Sequence, residues 1–129
     1  MFRLITHITR QFIREHPDAL FVYGDNMQQR GLGGQAKECR GEPNTLGIPT
    51  KWKPTWNPDA YFSDKDYDEV VPTIMVKFNL LEMKLKQGKD VYYPKMGIGT
   101  GRAELATRAP RIHQKIHAEA YKLWEMYNE

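Results

Sequence analysis

The sequence predicts a three-layer α/β/α domain with a mostly parallel central sheet. Three observations predict it. The runs Ala19-Leu20-Phe21-Val22-Tyr23 and Val91-Tyr92-Tyr93 are continuously apolar, as strands covered on both faces are. Each run empties into a glycine-rich stretch, Gly31-Leu32-Gly33-Gly34 after the first and Gly97-Ile98-Gly99-Thr100-Gly101 after the second. Segments with helical spacing lie between and after them, and that alternation is the pattern of a parallel sheet with crossover helices.

Taken in order, Phe2, Leu4, Ile5 and Ile8 suggest a short first strand, and residues 11–15 a short helix broken by Pro17-Asp18. The second strand, residues 19–23, ends in the polar cluster Gly24-Asp25-Asn26. Residues 34–40 read as a helix stopped by Gly41, with its amino end inside the first glycine cluster. Thr45-Leu46-Gly47-Ile48 is a third strand, ended by Pro49-Thr50-Lys51. Residues 52–67 show no period and read as a long surface loop carrying Trp52, Trp56, Tyr61 and Phe62; these rings could flank a base or cap the sheet edge. Val71, Ile74, Met75, Phe78, Leu81 and Leu85 recur at helical spacing, with Pro72 fitting the first turn and Gly88 the end. The last strand and the second glycine loop follow. Ala109, Ile112, Ile116, Ala120, Leu123 and Tyr127 mark a final amphipathic helix, with Thr107 as its cap and Pro110 in its first turn.

A chain of 129 residues that is 40% hydrophobic and 27% charged reads as one globular domain over residues 1–129. A net charge of +3 does not by itself argue for nucleic acid and suits an anionic small molecule. Cys39, the single cysteine, has no internal disulfide partner and suits a reducing compartment. No apolar run reaches membrane-spanning length and the first residues lack the shape of a secretion signal, so the expected setting is the cytoplasm, without membrane. His7, His16, His113 and His117 form no metal signature, and neither a metal nor a cofactor is expected.

The chemistry concentrates at the strand ends. Glycines admit positive φ and bare the main chain, so the N–H groups of both loops suit an anion, phosphate above all. The two loops are expected to face each other across one ligand, with Gly24, Asn26, Gly31, Gly33, Gly34 and Gln35 on one side and Met96, Gly97, Ile98, Gly99, Thr100, Gly101 and Arg102 on the other. Neither loop matches the Walker or dinucleotide fingerprint. Asn26 can read a hydroxyl or carbonyl, and Asp25 can accept from a ribose or activate water; both can equally cap the turn after the strand. Lys51 can bind phosphate or, with a depressed pKa, form a Schiff base with a ribose aldehyde; it can also be a solvated lysine. Glu104 is the carboxylate nearest the second loop and can equally complement a helix start.

Gly24-Asp25-Asn26 with Gly31-Leu32-Gly33-Gly34-Gln35-Ala36 resembles the first half of the macro domain signature. Pro94-Lys95-Met96-Gly97-Ile98-Gly99-Thr100-Gly101 resembles the second half, the loop that wraps a diphosphate. The subgroup most similar is the compact terminal ADP-ribose glycohydrolase type, whose middle strand ends much as Ile48-Pro49-Thr50-Lys51 does. The resemblance spans about residues 19–112. It implies ADP-ribose or a related nucleotide derivative as ligand and nominates Lys51 as the group that attacks the distal ribose. Gly101 stands where that subgroup carries a catalytic Asp.

Two functions follow as expectations. The first is an enzyme that hydrolyses a bond at the distal ribose or terminal phosphate of an ADP-ribose derivative, with Lys51, Asp25 and Glu104 as candidates for the chemistry. The second is a module that binds such a nucleotide without turnover. A nucleic-acid-binding domain is the weakest reading, because no recognition motif accompanies the modest charge. Oligomeric state has no signature in the sequence.

Overall fold

Phe2–Ile5 (β1), Leu20–Asn26 (β2), Thr45–Lys51 (β3) and Val91–Pro94 (β4) form one sheet in the order β1-β4-β2-β3 in the computed structural model, which describes residues 1–128. Every pairing is parallel, so the carboxyl ends of β2, β3 and β4 emerge on the same side. Helices Arg10–Glu15 (α1) and Ala36–Cys39 (α2) lie with one face of the sheet, and Tyr67–Lys86 (α3) and Pro110–Tyr127 (α5) with the other. A single-turn helix, Leu105–Arg108 (α4), joins the second glycine loop to α5. The three-layer α/β/α expectation is met.

The alternation of β2 builds both cores. Phe21 and Tyr23 pack with Ile8, Ile13, Ala36 and Cys39; Val22 packs with Ile48, Ile74, Phe78, Val91 and Ile112. Each such buried aliphatic or aromatic side chain contributes about 1.5–3 kcal/mol relative to exposure. Thr9 starts α1 by accepting the Phe12 N–H on its hydroxyl. Gly88, at φ +82°, follows α3 where a stop is expected.

Several boundaries differ from the sequence reading. β2 runs on through Gly24, Asp25 and Asn26, and β3 through Pro49, Thr50 and Lys51, so residues expected just beyond the strands are their last members. Pro49 is tolerated because β3 is an edge strand, with an irregularity in register where Asp25 and Asn26 face Pro49 and Lys51. The helix expected over residues 34–40 is a single turn, too short to carry a useful dipole. α3 begins at Tyr67, five residues before Pro72, which therefore sits inside the helix on an exposed face and not in its first turn. Val70 rather than Val71 takes the buried position. Thr107 belongs to α4, and Ala109 stands at the start of α5 with Pro110 in its first turn. Residues 52–67 are not a bare surface loop. Two 3₁₀ turns, Pro58–Ala60 and Asp64–Asp66, bring Ala60, Tyr61 and Phe62 into the buried interior, and Tyr61 bridges antiparallel to Lys51.

Candidate functional site

The buried polar and charged residues among those described are Asp25, Asn26, Thr50 and Lys51. All four stand at the carboxyl ends of β2 and β3, and all four line one cleft of about 450 Å³. A buried polar side chain is costly unless it is partnered, so such a concentration at one place needs a reason. The crevice beyond the carboxyl ends of parallel strands is where α/β sheets hold ligands.

Both glycine loops border this cleft. Gly31, Gly33, Gly34 and Gln35 line it from one side, and Gly97, Ile98, Gly99, Thr100, Gly101 and Arg102 from the other. The loops touch through Arg102: a Cβ on Gly33 would lie 3.1 Å from its Nη1. Gly31 has φ +94° and a Cβ there would meet Pro54 at 2.8 Å, so only glycine fits beneath that proline. Residues 31–35 and 98–103 donate no main-chain N–H to another protein group among the described residues. Two stretches of free N–H groups thus border a single concave space, an arrangement suited to an anion.

Asp25 is fully engaged by the protein. Its carboxylate takes Arg40 Nη2 at 2.6 Å and Nη1 at 3.3 Å, and its Oδ1 also accepts the Asn26 main-chain N–H at 2.8 Å. The pairing holds the Arg40 guanidinium above its ordinary value. Gly47 makes room for this pair, since a Cβ there would lie 2.6 Å from Asp25 Oδ2. Arg40 Nε donates to the Gly31 carbonyl at 2.8 Å, which ties the first glycine loop to β2. Burial, reinforced by the Asp25 charge, pushes the neighbouring Tyr23 phenol up to about 12.

Asn26 is likewise committed. Its Oδ1 accepts from Gln28 N at 3.0 Å and its Nδ2 donates to the Arg30 carbonyl at 2.7 Å, forming the Asx turn that leads into the first loop. The Gln35 amide is paired with the Ile8 main chain, accepting at 2.8 Å and donating at 3.3 Å. These side chains shape the cleft wall while the main chain is left to face it.

Lys51 differs from them. Its Nζ donates to the Thr55 carbonyl at 2.7 Å and contacts no carboxylate among the described residues. It lies 4.5 Å from the Tyr61 ring centroid and 5.3 Å from that of Trp56. Arg102 stacks on the same Trp56 at 5.5 Å, and Arg108 on the same Tyr61 at 3.7 Å. Three cations and two rings therefore alternate in one row, of which Lys51, Trp56 and Arg102 line the cleft. Burial holds the Lys51 ammonium below the usual lysine range, Arg102 and Arg108 push it further down, and Glu104 opposes them. The Thr55 hydroxyl is the one buried side-chain polar atom without a partner among the described residues.

Two expected site residues lie elsewhere. Met96 is highly exposed and faces a different cavity, because the loop turns over at Gly97, where φ is +83°. Glu104 is a left-handed residue before α4, half-exposed and 3.6 Å from Arg108 Nε, and it is not part of the cleft lining. Arg40, Thr50, Pro54 and Trp56, none of them a site residue expected from the sequence, also line the cleft; Trp56 is one of the loop aromatics. Trp52 does not join them: it packs edge-on to Phe62 at 5.1 Å and donates to Asp66 Oδ2 at 3.3 Å.

Residues 3–119 match a family of unknown function, DUF7831. The chain belongs to that family. No curated protein and no solved structure matches it. The DUF7831 match covers both glycine loops, the four buried polar residues and most of α5.

Proposed function

We propose that this DUF7831 chain binds ADP-ribose, or a closely related nucleotide diphosphate derivative, with the diphosphate on the two glycine loops. The observation that carries the reading is the gathering of every buried polar residue described at one cleft that both loops border. Free main-chain N–H groups offer neutral donors to a diphosphate, and Arg102 and Lys51 offer charge without a competing carboxylate. Exposed Trp56 offers a face to an adenine or ribose. The macro domain resemblance of the two loops supports the same ligand class.

We further propose that Lys51 acts on the distal ribose. A deprotonated Nζ attacks the anomeric carbon, the bond to the substituent breaks, and the substituent leaves with the electron pair. The lysine nitrogen then loses its extra proton to solvent. The ribose ring opens to give the Schiff base as the ring oxygen takes a proton, and water later adds to the C=N bond and releases the ribose aldehyde with the free amine. Enclosure that lowers the ammonium's proton affinity favours this step. A second reading, binding without turnover, is favoured by one observation: among the described residues no free carboxylate lines the cleft. Asp25 is paired with Arg40, Glu104 is outside, and Gly101 stands at the place of the catalytic Asp in the resembling subgroup.

Calorimetric titration with ADP-ribose tests the shared core of both readings, and absence of binding to folded protein refutes it. Borohydride trapping with an ADP-ribosylated substrate separates them. An adduct on Lys51, forming with a pH midpoint below the 10.5 of an ordinary lysine, is the expected result for an enzyme. Intact ligand and no adduct establish the binding module. The Lys51→Ala variant should bind roughly tenfold more weakly, about 1.4 kcal/mol, and lose any turnover.

A further inference from the structure

A second cavity, of about 340 Å³, lies behind the second glycine loop. Pro94, Gly97, Ile98 and Thr100 line both cavities, so the loop is a partition with the nucleotide cleft on its other side. The floor of the second cavity is Phe2, Tyr93, Ile116 and Ala120, all buried. Its rim is Leu4, Met96 and Tyr121, which are 48%, 78% and 51% exposed.

The core does not account for this rim. α5 already buries Ile112, Ile116, Ala120 and Leu123. His113, His117, Tyr121 and Trp124 make a second stripe on the adjoining flank of the helix, and that stripe faces the cavity. Large apolar side chains gathered around an open concavity mark a binding surface more often than scattered ones do. The volume falls within the roughly 300–1,000 Å³ of small-molecule sites, and an apolar wall with a few polar groups is their usual composition.

The polar groups specify the ligand further. Lys95, His113, His117 and Thr100 are in the lining, and among the described residues no Asp or Glu is. Glu125, whose hydrogen bond holds the Tyr121 phenol above its ordinary value, is not in the lining either. Aromatic walls at Phe2, Tyr93 and Trp124 and the polarizable sulfur of Met96 suit a flat ring system.

We propose that this cavity is a second ligand site, separate from the nucleotide cleft, and that it takes a small planar aromatic anion: one ring system in the apolar floor and one carboxylate or sulfonate at Lys95 and the two histidines. The occupant is a small molecule because the walls form a concavity of small-molecule size and not a flat face.

The test uses 8-anilinonaphthalene-1-sulfonate as probe, followed by its fluorescence on the intact folded chain at neutral pH. The expected result is one saturable site. Ala120→Phe, which fills the floor, should weaken it at least tenfold. Lys95→Glu, at an exposed position that the core does not use, should weaken it at least threefold with the near-ultraviolet circular dichroism unchanged. Saturating ADP-ribose should leave the probe bound. No saturable site, or affinity unchanged in Lys95→Glu, overturns the proposal. Full displacement by ADP-ribose also overturns it, since the probe then sits in the other cleft. So does a dimer in sedimentation that Met96→Glu dissociates, because a second copy then covers the groove.

Discussion

Replacing Arg40 by methionine decides whether Asp25 holds the fold or waits for a substrate. Asp25's side chain is 5% exposed and Arg40's is 19%, so the pair is shielded well enough that solvent screening removes little of it. The substitution keeps the length of the arm and removes three donors: two to Asp25 and one to the Gly31 carbonyl. A carboxylate left buried without its cation costs about 3–5 kcal/mol. Against a whole-domain stability of about 5–15 kcal/mol, that loss is large and should be visible as an early urea midpoint with an unchanged slope. Asp25→Asn in the same background removes the stranded charge, so the double variant should be less destabilised than the sum of the singles. The Arg40→Met protein should also bind ADP-ribose more weakly, because Gly31 loses its tie to β2. A loss under about 1 kcal/mol in urea, with additive singles, would refute the architectural role and return Asp25 to the list of free carboxylates.

Two other outcomes are expected. Gly101 has open space around its would-be Cβ and lines the cleft, so Gly101→Glu should leave the urea midpoint unchanged and weaken ADP-ribose at least tenfold, about 1.4 kcal/mol; equal affinity by calorimetry counts against a diphosphate at this loop. Cys39 is fully buried and its thiol is pushed up to about 12, chiefly by burial, so iodoacetamide at pH 8 should label it in denaturant and not in the native protein, as read by mass spectrometry.

The layers and the parallel order of strands were legible because they rest on long-wavelength features of the chain. Unbroken apolar runs at residues 19–23 and 91–93 leave no polar face for solvent, and the spacing of Ile112, Ile116, Ala120 and Leu123 fits only a helix. The strand ends were misplaced because Gly24, Pro49 and Thr50 look like punctuation. Their strand character comes from pairing across the sheet, with Gly24 opposite Ile48 and Asp25 opposite Pro49, and pairing is not a local property. Pro72 misled in the same way. It fixed the expected start of α3, yet the helix starts at Tyr67 and carries the proline on its exposed side, because the capping box at Ser63 and Asp66 leads the chain into the helix earlier.

The site was legible as two loops and not as a set of roles, and glycine shows why. A glycine in a sequence says that something approaches the backbone, without saying whether it is a ligand or the protein itself. Gly31 is reserved for Pro54, Gly47 for the Asp25 carboxylate and Gly99 for Leu105, whose Cδ2 would lie 2.9 Å from a Cβ; of the glycines in the two loops, Gly34 and Gly101 face open space. The acid and the amide at the end of β2 behaved alike. Asp25 and Asn26 occupy the strand-end position expected of site residues, yet each spends its oxygens on Arg40, Gln28 or its own turn. Lys51 is not the solvated lysine that its spacing alone also allowed. Its enclosure depends on the irregular register at Asn26 and on Tyr61 returning from residues downstream to bridge it, and no local pattern announces either. The consequence is chemical: of the polar side chains buried at the cleft, the acid and the amide are consumed by the fold, while the amine is held against two rings with no carboxylate among the described residues paired to it. On the proposed reading the chemistry at a bound anion therefore falls first to Lys51, and a variant at Asp25 that abolished turnover without loss of stability would be the result to overturn that order.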